Sequence, residues 1–107
     1  MHVSVFEYGV VGISAAGWAA ACVELAPAFA QVPGLVSKVW LTGADGRYGG
    51  VYVWTDEAAF RDFLGSDLGA ALAAHANIDG LTMRDWAVDE QPTSVTRGIP
   101  HVRIGHA

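Results

Sequence analysis

The chain has 107 residues, 52% of them hydrophobic and only 16% charged, and carries a formal net charge of -5. That length suits one domain. The acidic balance, with six Lys and Arg that do not cluster, argues against nucleic acid as a partner. One cysteine, Cys22, excludes an internal disulfide. No apolar run nears the ~20 residues that span a bilayer, and the N-terminus lacks the basic segment and apolar stretch of a secretory signal. The expectation is a cytoplasmic protein with no membrane partner.

Residues 2–9, HVSVFEYG, alternate and are rich in β-formers, which predicts a strand. Ser14 suits the N-cap of a helix over 15–31. Its apolar stripe is Trp18, Cys22, Leu25, Phe29 and Val32, with Pro27 expected to kink it and Pro33-Gly34 to end it. Residues 35–42, LVSKVWLT, and 48–55, YGGVYVWT, read as strands joined by a hairpin at Asp45-Gly46. Asp56 and Ser66 suit the N-caps of two helical segments, from Glu57 and over 67–76. The second carries Leu68, Leu72 and His75 on one side. Asn77 to Gly80 reads as a turn, and residues 81–90 as the last strand. Composition divides the chain into a domain over 1–91 and a tail over 92–107.

Strand–helix–strand, twice, predicts an α+β fold of the ferredoxin-like βαββαβ type, with both helices on one face of an antiparallel sheet. The other face would be bare and apolar. A typical soluble domain is about 45–50% apolar and about 25% charged, so this chain has surplus apolar surface. Face-to-face pairing of two sheets, a homodimeric α+β barrel, would hide it.

Four histidines, His2, His75, His101 and His106, form no metal-ligand spacing, and Cys22 has no neighbouring ligand. No metal is therefore expected, and Cys22 on the buried helix stripe reads as an inert thiol. His75 continues the stripe of its helix. It could act as a general acid or base near pH 7, or be a half-buried histidine bonded to a carbonyl. Trp18, Trp40, Trp54 and Trp86 could pack in the core or border a cavity for a flat substrate. Tyr52 and Trp54 share one face of their strand, and Lys38 and Trp40 share one face of theirs. A two-residue hairpin turn would put the pairs on opposite faces, and a three- or five-residue loop would put them together. Lys38, in an apolar strand, must reach water, a ligand anion, or a carboxylate such as Glu7, Asp85 or one of a partner chain. Arg84 and Asp85 read as an edge-strand charge pair. Gly49-Gly50 fits no phosphate loop and marks a bulge or close packing under an aromatic.

Three stretches carry a family resemblance. They are Glu24–Phe29 running to Pro33-Gly-Leu-Val-Ser-Lys-Val-Trp40, then Tyr48-Gly-Gly-Val-Tyr-Val-Trp54, then Ser66-Asp-Leu68 leading to Ala73-Ala-His75. Arg84-Asp-Trp86 and Pro92–Arg97 also fit. In these the chain resembles the YdhR-type monooxygenase family of dimeric α+β barrels. The resemblance covers nearly the whole chain except Ile99–Ala107, and the N-terminal stretch through Ala21 is richer in Ala and Gly than the family pattern. It implies the fold and the homodimer. By analogy with antibiotic-biosynthesis monooxygenases, it implies oxygenation of an aromatic or polyketide-type small molecule in secondary metabolism, without a cofactor. On that reading His75 or Tyr52 moves the proton, while Lys38, Trp40, Trp54, Trp86 and Trp18 contact the substrate. Haem-degrading relatives raise a haem-ligand role for His75, against which stands its distance in sequence from Ser66-Asp67. The alternatives are a cyclase, isomerase or lyase of the same barrel class, or a non-catalytic small-molecule-binding accessory protein.

Overall fold

The computed structural model describes residues 1–98, so His101 and His106 lie outside the described residues. The element order is β1 His2–Val10, α1 Ala15–Ala30, β2 Leu35–Thr42, β3 Arg47–Trp54, α2 Glu57–Leu64, α3 Asp67–Ala73, β4 Ile78–Ala87 and α4 Glu90–Val95. The strands form one antiparallel sheet in the order β2-β3-β1-β4. This is the ferredoxin-like α+β architecture. A short helix, α4, occupies part of the segment whose composition predicted a tail. Its cap Asp89 follows directly on the backbone bond from Val88 N–H to the Met1 carbonyl. The Met1 ammonium also pairs with Glu90, which ties the start of α4 to the N-terminus.

Each helix starts where a side chain takes up a free backbone N–H. Ser14 accepts from Gly17, Asp56 from Ala59 and Ser66 from Gly69. Helix α1 runs as one element through Pro27. Proline at that position frees the carbonyl of Val23, four residues back. Val23 is 74% exposed, so water can satisfy that group.

Two expectations shift for reasons visible in the ladder. The last strand begins at Ile78, three residues before the predicted start, because the turn already closes at Asn77, where Ile78 N–H bonds to the His75 carbonyl. Ile78 pairs with Val10 and Asp79 with Gly9. The Asn77 carbonyl accepts from Val11 N–H, and Asn77 Nδ2 donates to the Val11 carbonyl. The register slips between Glu7 and Gly9, and Gly80 absorbs the slip at φ 63°. The Asn-Asp-Gly signal thus marks a bulge within a strand.

The β2–β3 hairpin resolves the open register. Gly43 N–H bonds to the Arg47 carbonyl at 2.6 Å, leaving the three-residue loop Ala44-Asp45-Gly46, with Gly46 at φ 80°. Lys38 then pairs with Tyr52 and Trp40 with Gly50. Lys38, Trp40, Tyr52 and Trp54 therefore share the face that the helices cover.

The core lies between that face and the helices. Phe6, Phe29, Tyr52, Trp54, Phe60 and Phe63 form its buried centre. Gly49 is required by backbone proximity, since a Cβ there would come within 2.2 Å of the Phe6 carbonyl oxygen. Gly50 lies under the Tyr52 ring and the Lys38 chain, at 3.0 and 3.2 Å from the position of a Cβ. The second face of the sheet carries Val3, Val5, Val39, Leu41, Val51, Val53 and Trp86. There Val39 is 54% and Trp86 49% exposed, with nothing among the described residues to cover them.

Candidate functional site

The helix-covered face holds a small cavity of about 50 Å³ between the sheet, α1 and α3. Strand alternation brings Tyr8, Lys38 and Trp40 to its floor. The α1 stripe supplies Trp18, Leu25 and Phe29, and the end of α3 supplies Leu72 and His75. A wider groove of about 430 Å³ adjoins it, sharing Tyr8, Trp18 and Trp40 and reaching past Cys22 to the hairpin end of the sheet. Both spaces are lined mainly by apolar groups with a few polar atoms, the usual make-up of a small-molecule site.

Lys38 dominates the inner cavity. Its Nζ stands 3.3 Å from the ring centre of Trp40, 3.5 Å from that of Phe29 and 4.8 Å from that of Tyr52. Neither carboxylate considered from the sequence reaches it. Asp85 bonds to His2 Nε2 at 2.6 Å, and Glu7 lies on the opposite face of the sheet. Among the described residues the ion pairs are Met1–Glu90, His2–Asp85, Arg61–Glu57 and Arg61–Asp85, and Lys38 is in none of them. Loss of solvent lowers its pKa from 10.5 to about 7, with the nearby Cys22 acting weakly the other way. The three rings favour the ammonium, each cation–π contact being worth roughly 0.5–2 kcal/mol, and so oppose this shift.

Tyr8 is buried against Trp18 and Tyr48, with ring centres at 6.0 and 6.4 Å. Burial first, and the neighbouring Cys22 second, push its phenol up to about 12, against a smaller opposite effect of Trp18. Burial likewise pushes the Cys22 thiol up, which agrees with the expected inert thiol, while Lys38 draws it down. The Trp18 indole is 2% exposed, and its Nε1–H, close enough to the Tyr8 hydroxyl to lower its pKa, has no hydrogen-bond partner of good geometry among the described residues. A buried, unpaired N–H costs about 1–3 kcal/mol, and an acceptor on a bound molecule would recover it.

His75 packs edge-on against Trp18, with ring centres 5.4 Å apart. It sits just beyond α3, whose C-cap is Ala74, rather than in the last helical turn. Its Nδ1 accepts the backbone N–H of Asn77 at 3.1 Å. An accepting Nδ1 belongs to the neutral tautomer with the proton on Nε2. In this arrangement the free nitrogen of His75 is a donor, not a base.

The remaining sequence candidates separate. Tyr52 is 2% exposed, stacks on Trp54 and packs tilted against Phe6, below Lys38 rather than on the cavity wall. Desolvation raises its phenol far above the ordinary range. Trp54 is fully buried and donates Nε1–H to Ser4 Oγ at 2.9 Å. Trp86 lies on the other face of the sheet, in a shallow groove with Val5, Glu7 and Arg84, and does not meet Trp40 or Trp18. Arg84 and Asp85 are adjacent in a strand and so point to opposite faces. Asp85 serves His2 and Arg61 instead of Arg84. Tyr8 is a wall residue that no local motif singles out. Its strict alternation with Phe6, Ser4 and His2 was the available signal.

One group of potential metal ligands exists among the described residues. His2, Glu57 and Asp85 offer ligand atoms within 4.8 Å of one another. Arg61 already places its guanidinium 3.1 Å from Glu57 and 3.6 Å from Asp85, which supplies the positive charge there.

The molecule is a ferredoxin-like sheet with an aromatic-walled cavity under its helices. The sequence matches the family described as "Putative mono-oxygenase ydhR" over residues 5–99, and the chain belongs to that family. It is similar to a point variant of SnoaB, a cofactor-independent oxygenase from Streptomyces nogalater, at 26% identity and a TM-score of 0.66, covering 84% of this chain and 94% of that one. Two further structures share the fold. A protein described as a "putative antibiotic biosynthesis monooxygenase" from Deinococcus radiodurans does so at 20% identity and TM-score 0.69, covering 84% and 94%. The heme-degrader MhuD from Mycobacterium tuberculosis, with two hemes in its active site, does so at 21% identity and TM-score 0.67, covering 83% and 96%. No curated protein matches the chain significantly. Among the described residues no helix is long and apolar enough to cross a membrane.

Proposed function

We propose that this protein is a homodimeric, cofactor-independent oxygenase acting on a flat phenolic or polyketide-type small molecule of secondary metabolism, with its site in the cavity under the helices. One observation carries the reading: Lys38, half-buried and in no ion pair among the described residues, faces the same apolar space as Tyr8, Trp18 and His75. Family membership and the likeness to an oxygenase support it.

The chemistry follows from those groups. A ring methylene flanked by a phenolic ketone is acidic enough for the neutral Lys38 amine to take its proton. The resulting ammonium then pairs with the enolate, in a site of low dielectric where that attraction is strong. Trp18 Nε1–H and His75 Nε2–H are donors for the enolate oxygen. The carbanion passes its electrons to O2 and becomes a hydroperoxide, and loss of water leaves a new carbonyl. The methylene plus O2 thus gives a ketone plus H2O, with no external reductant. In this reading His75 is an oxyanion donor, and Tyr52 supports Lys38 from below. Trp18 and Trp40 sandwich the rings. Trp54 stiffens the floor, and Trp86 belongs to the surface that a second subunit covers.

The test is oxygen uptake with an anthrone-type phenolic tricycle. Wild-type protein is expected to consume one O2 per substrate. Lys38→Met and Lys38→Arg should each lose about 100-fold or more in kcat, the usual contribution of a general base. His75→Ala should lose about 100-fold or more, as removal of an oxyanion donor does. Saturable quenching of tryptophan fluorescence by the tricycle, with no O2 consumed, would instead favour the non-catalytic binder.

A further inference from the structure

Lys38 is the only lysine in the chain. Surface lysines are the commonest kind, yet this protein places its single one in a cage of Phe29, Trp40 and Tyr52, on the wall of a cavity. A lysine needed only for solubility or for a surface ion pair would not be there. A lysine needed only as a fixed positive charge would be better replaced by arginine, which stacks on aromatic rings and never loses its proton. What lysine alone supplies in such a place is a neutral primary amine.

We propose that Lys38 is a covalent nucleophile, and that the cavity captures small β-dicarbonyl or aldehyde compounds as a Lys38 imine. The Nζ lone pair attacks the carbonyl carbon to give a carbinolamine. Loss of water then yields the C=N bond, or its conjugated enaminone when a second carbonyl stands one carbon away. One C–N bond forms, one water leaves, and no electron is gained or lost. The imine turns the bound carbonyl into an electron sink, which activates the adjacent carbon for proton loss or for C–C cleavage.

The surroundings meet the needs of this step. The groups facing Lys38 are Cys22 from α1, Tyr8 from β1, Tyr52 from β3 and His75 beyond α3, and among the described residues none is a carboxylate that would hold the ammonium form. Desolvation supplies the free amine near neutral pH. Trp18 Nε1–H, held near the Tyr8 hydroxyl without good hydrogen-bond geometry, is a donor for the second carbonyl oxygen of a dione. The adjoining groove shares Tyr8, Trp18 and Trp40 with the cavity and provides the way in. The inference does not depend on the oxygenase reading, because it requires neither O2 nor an acidic methylene.

The probe is 2,4-pentanedione, which forms a stable, ultraviolet-absorbing enaminone with an amine and needs no reductant. Two amines exist in the chain, Lys38 and the Met1 terminus, so intact mass and peptide mapping assign the adduct directly. The expected result is modification of Lys38 in the native protein, with a rate that rises with pH to a half-maximum near 7. Lys38→Met and Lys38→Arg should show only the Met1 adduct, with near-native circular dichroism. An acetylated N-terminus should leave the Lys38 adduct unchanged. The proposal is overturned if native protein is labelled at Met1 alone. It is equally overturned if Lys38 reacts only in urea, or with a half-maximum near that of free lysine. Oxygen uptake with the tricycle is a separate readout, so the two readings can fail independently.

Discussion

At the residue scale, the properties of Lys38 follow from where its ammonium cannot go. Its pKa is lowered by loss of water, and this has a consequence for stability. Between about pH 7 and 10.5 the unfolded chain binds the Lys38 proton and the native chain does not. Stability therefore rises with pH through that window, and the penalty is constant below it. Cys22, Tyr8 and Tyr52 are all shifted upward and act in the opposite sense above about pH 9, where the unfolded chain loses those protons first. Urea midpoints between pH 7 and 9 should thus climb in the wild type, and the climb should vanish in Lys38→Met. An unchanged slope in the variant would contradict the assignment. Lys38→Met should also be the more stable protein at pH 7, since methionine fills an aromatic cage without desolvating a charge.

Trp54 makes a second residue-scale case. Its bond to Ser4 lies wholly inside the core. Trp54→Phe should cost about 1–3 kcal/mol, largely from the stranded serine hydroxyl, and a paired Ser4→Ala, Trp54→Phe variant should recover part of it. Equilibrium denaturation of the two single variants and the double variant measures the coupling. The alternation of β1 and β3 made the shared face of Ser4, Tyr52 and Trp54 legible in sequence. Their hydrogen bond was not, because it depends on strands distant in the chain becoming neighbours.

At the element scale, the site exists because of one turn. The sequence contained Asp45-Gly46 and left a two-, three- or five-residue connection open. The three-residue loop, with Gly46 in the left-handed region, puts Lys38 opposite Tyr52. A slip of one residue would send Lys38 to the other face. The two glycine types in this hairpin should respond differently to alanine. At Gly46 a Cβ meets nothing within 4 Å, so only the backbone cost of about 1 kcal/mol applies. At Gly49 a Cβ would be driven to 2.2 Å from a carbonyl oxygen, and the sheet must open. Gly49→Ala should lower Tm by many degrees, and Gly46→Ala by only a few. Comparable losses at both positions would mean that the β1–β3 spacing is looser than described. The helices, by contrast, were readable in advance, because Ser14, Asp56 and Ser66 each cap within three residues of chain. The misplaced start of β4 shows the limit of local signals. Asn77, Asp79 and Gly80 have turn chemistry, yet pairing with Val10 and Gly9 holds them in the ladder.

At the scale of the whole molecule, the outer face of the sheet sets the oligomeric state that we expect. Valines fill its centre, and Val39, Leu41 and Trp86 are exposed. Light scattering should report a dimer at micromolar concentration. Val51→Lys, at the centre of that face, should give monomers or aggregates while its local circular dichroism persists. A monomeric wild type would require another cover for this surface.

The sequence by itself determined the α+β order, the helix caps, the surplus of apolar surface and the family, because each rests on local spacing or composition. It also singled out Lys38, Trp40 and His75. Tertiary structure alone decided which residues meet. It placed Tyr8 and an unpartnered Trp18 N–H beside Lys38, kept Tyr52 and Trp54 within the packed core, and sent Trp86 to the far face. The physical reason is that side-chain neighbourhood and desolvation depend on strand register and on helix docking across the sheet. No window of sequence contains either.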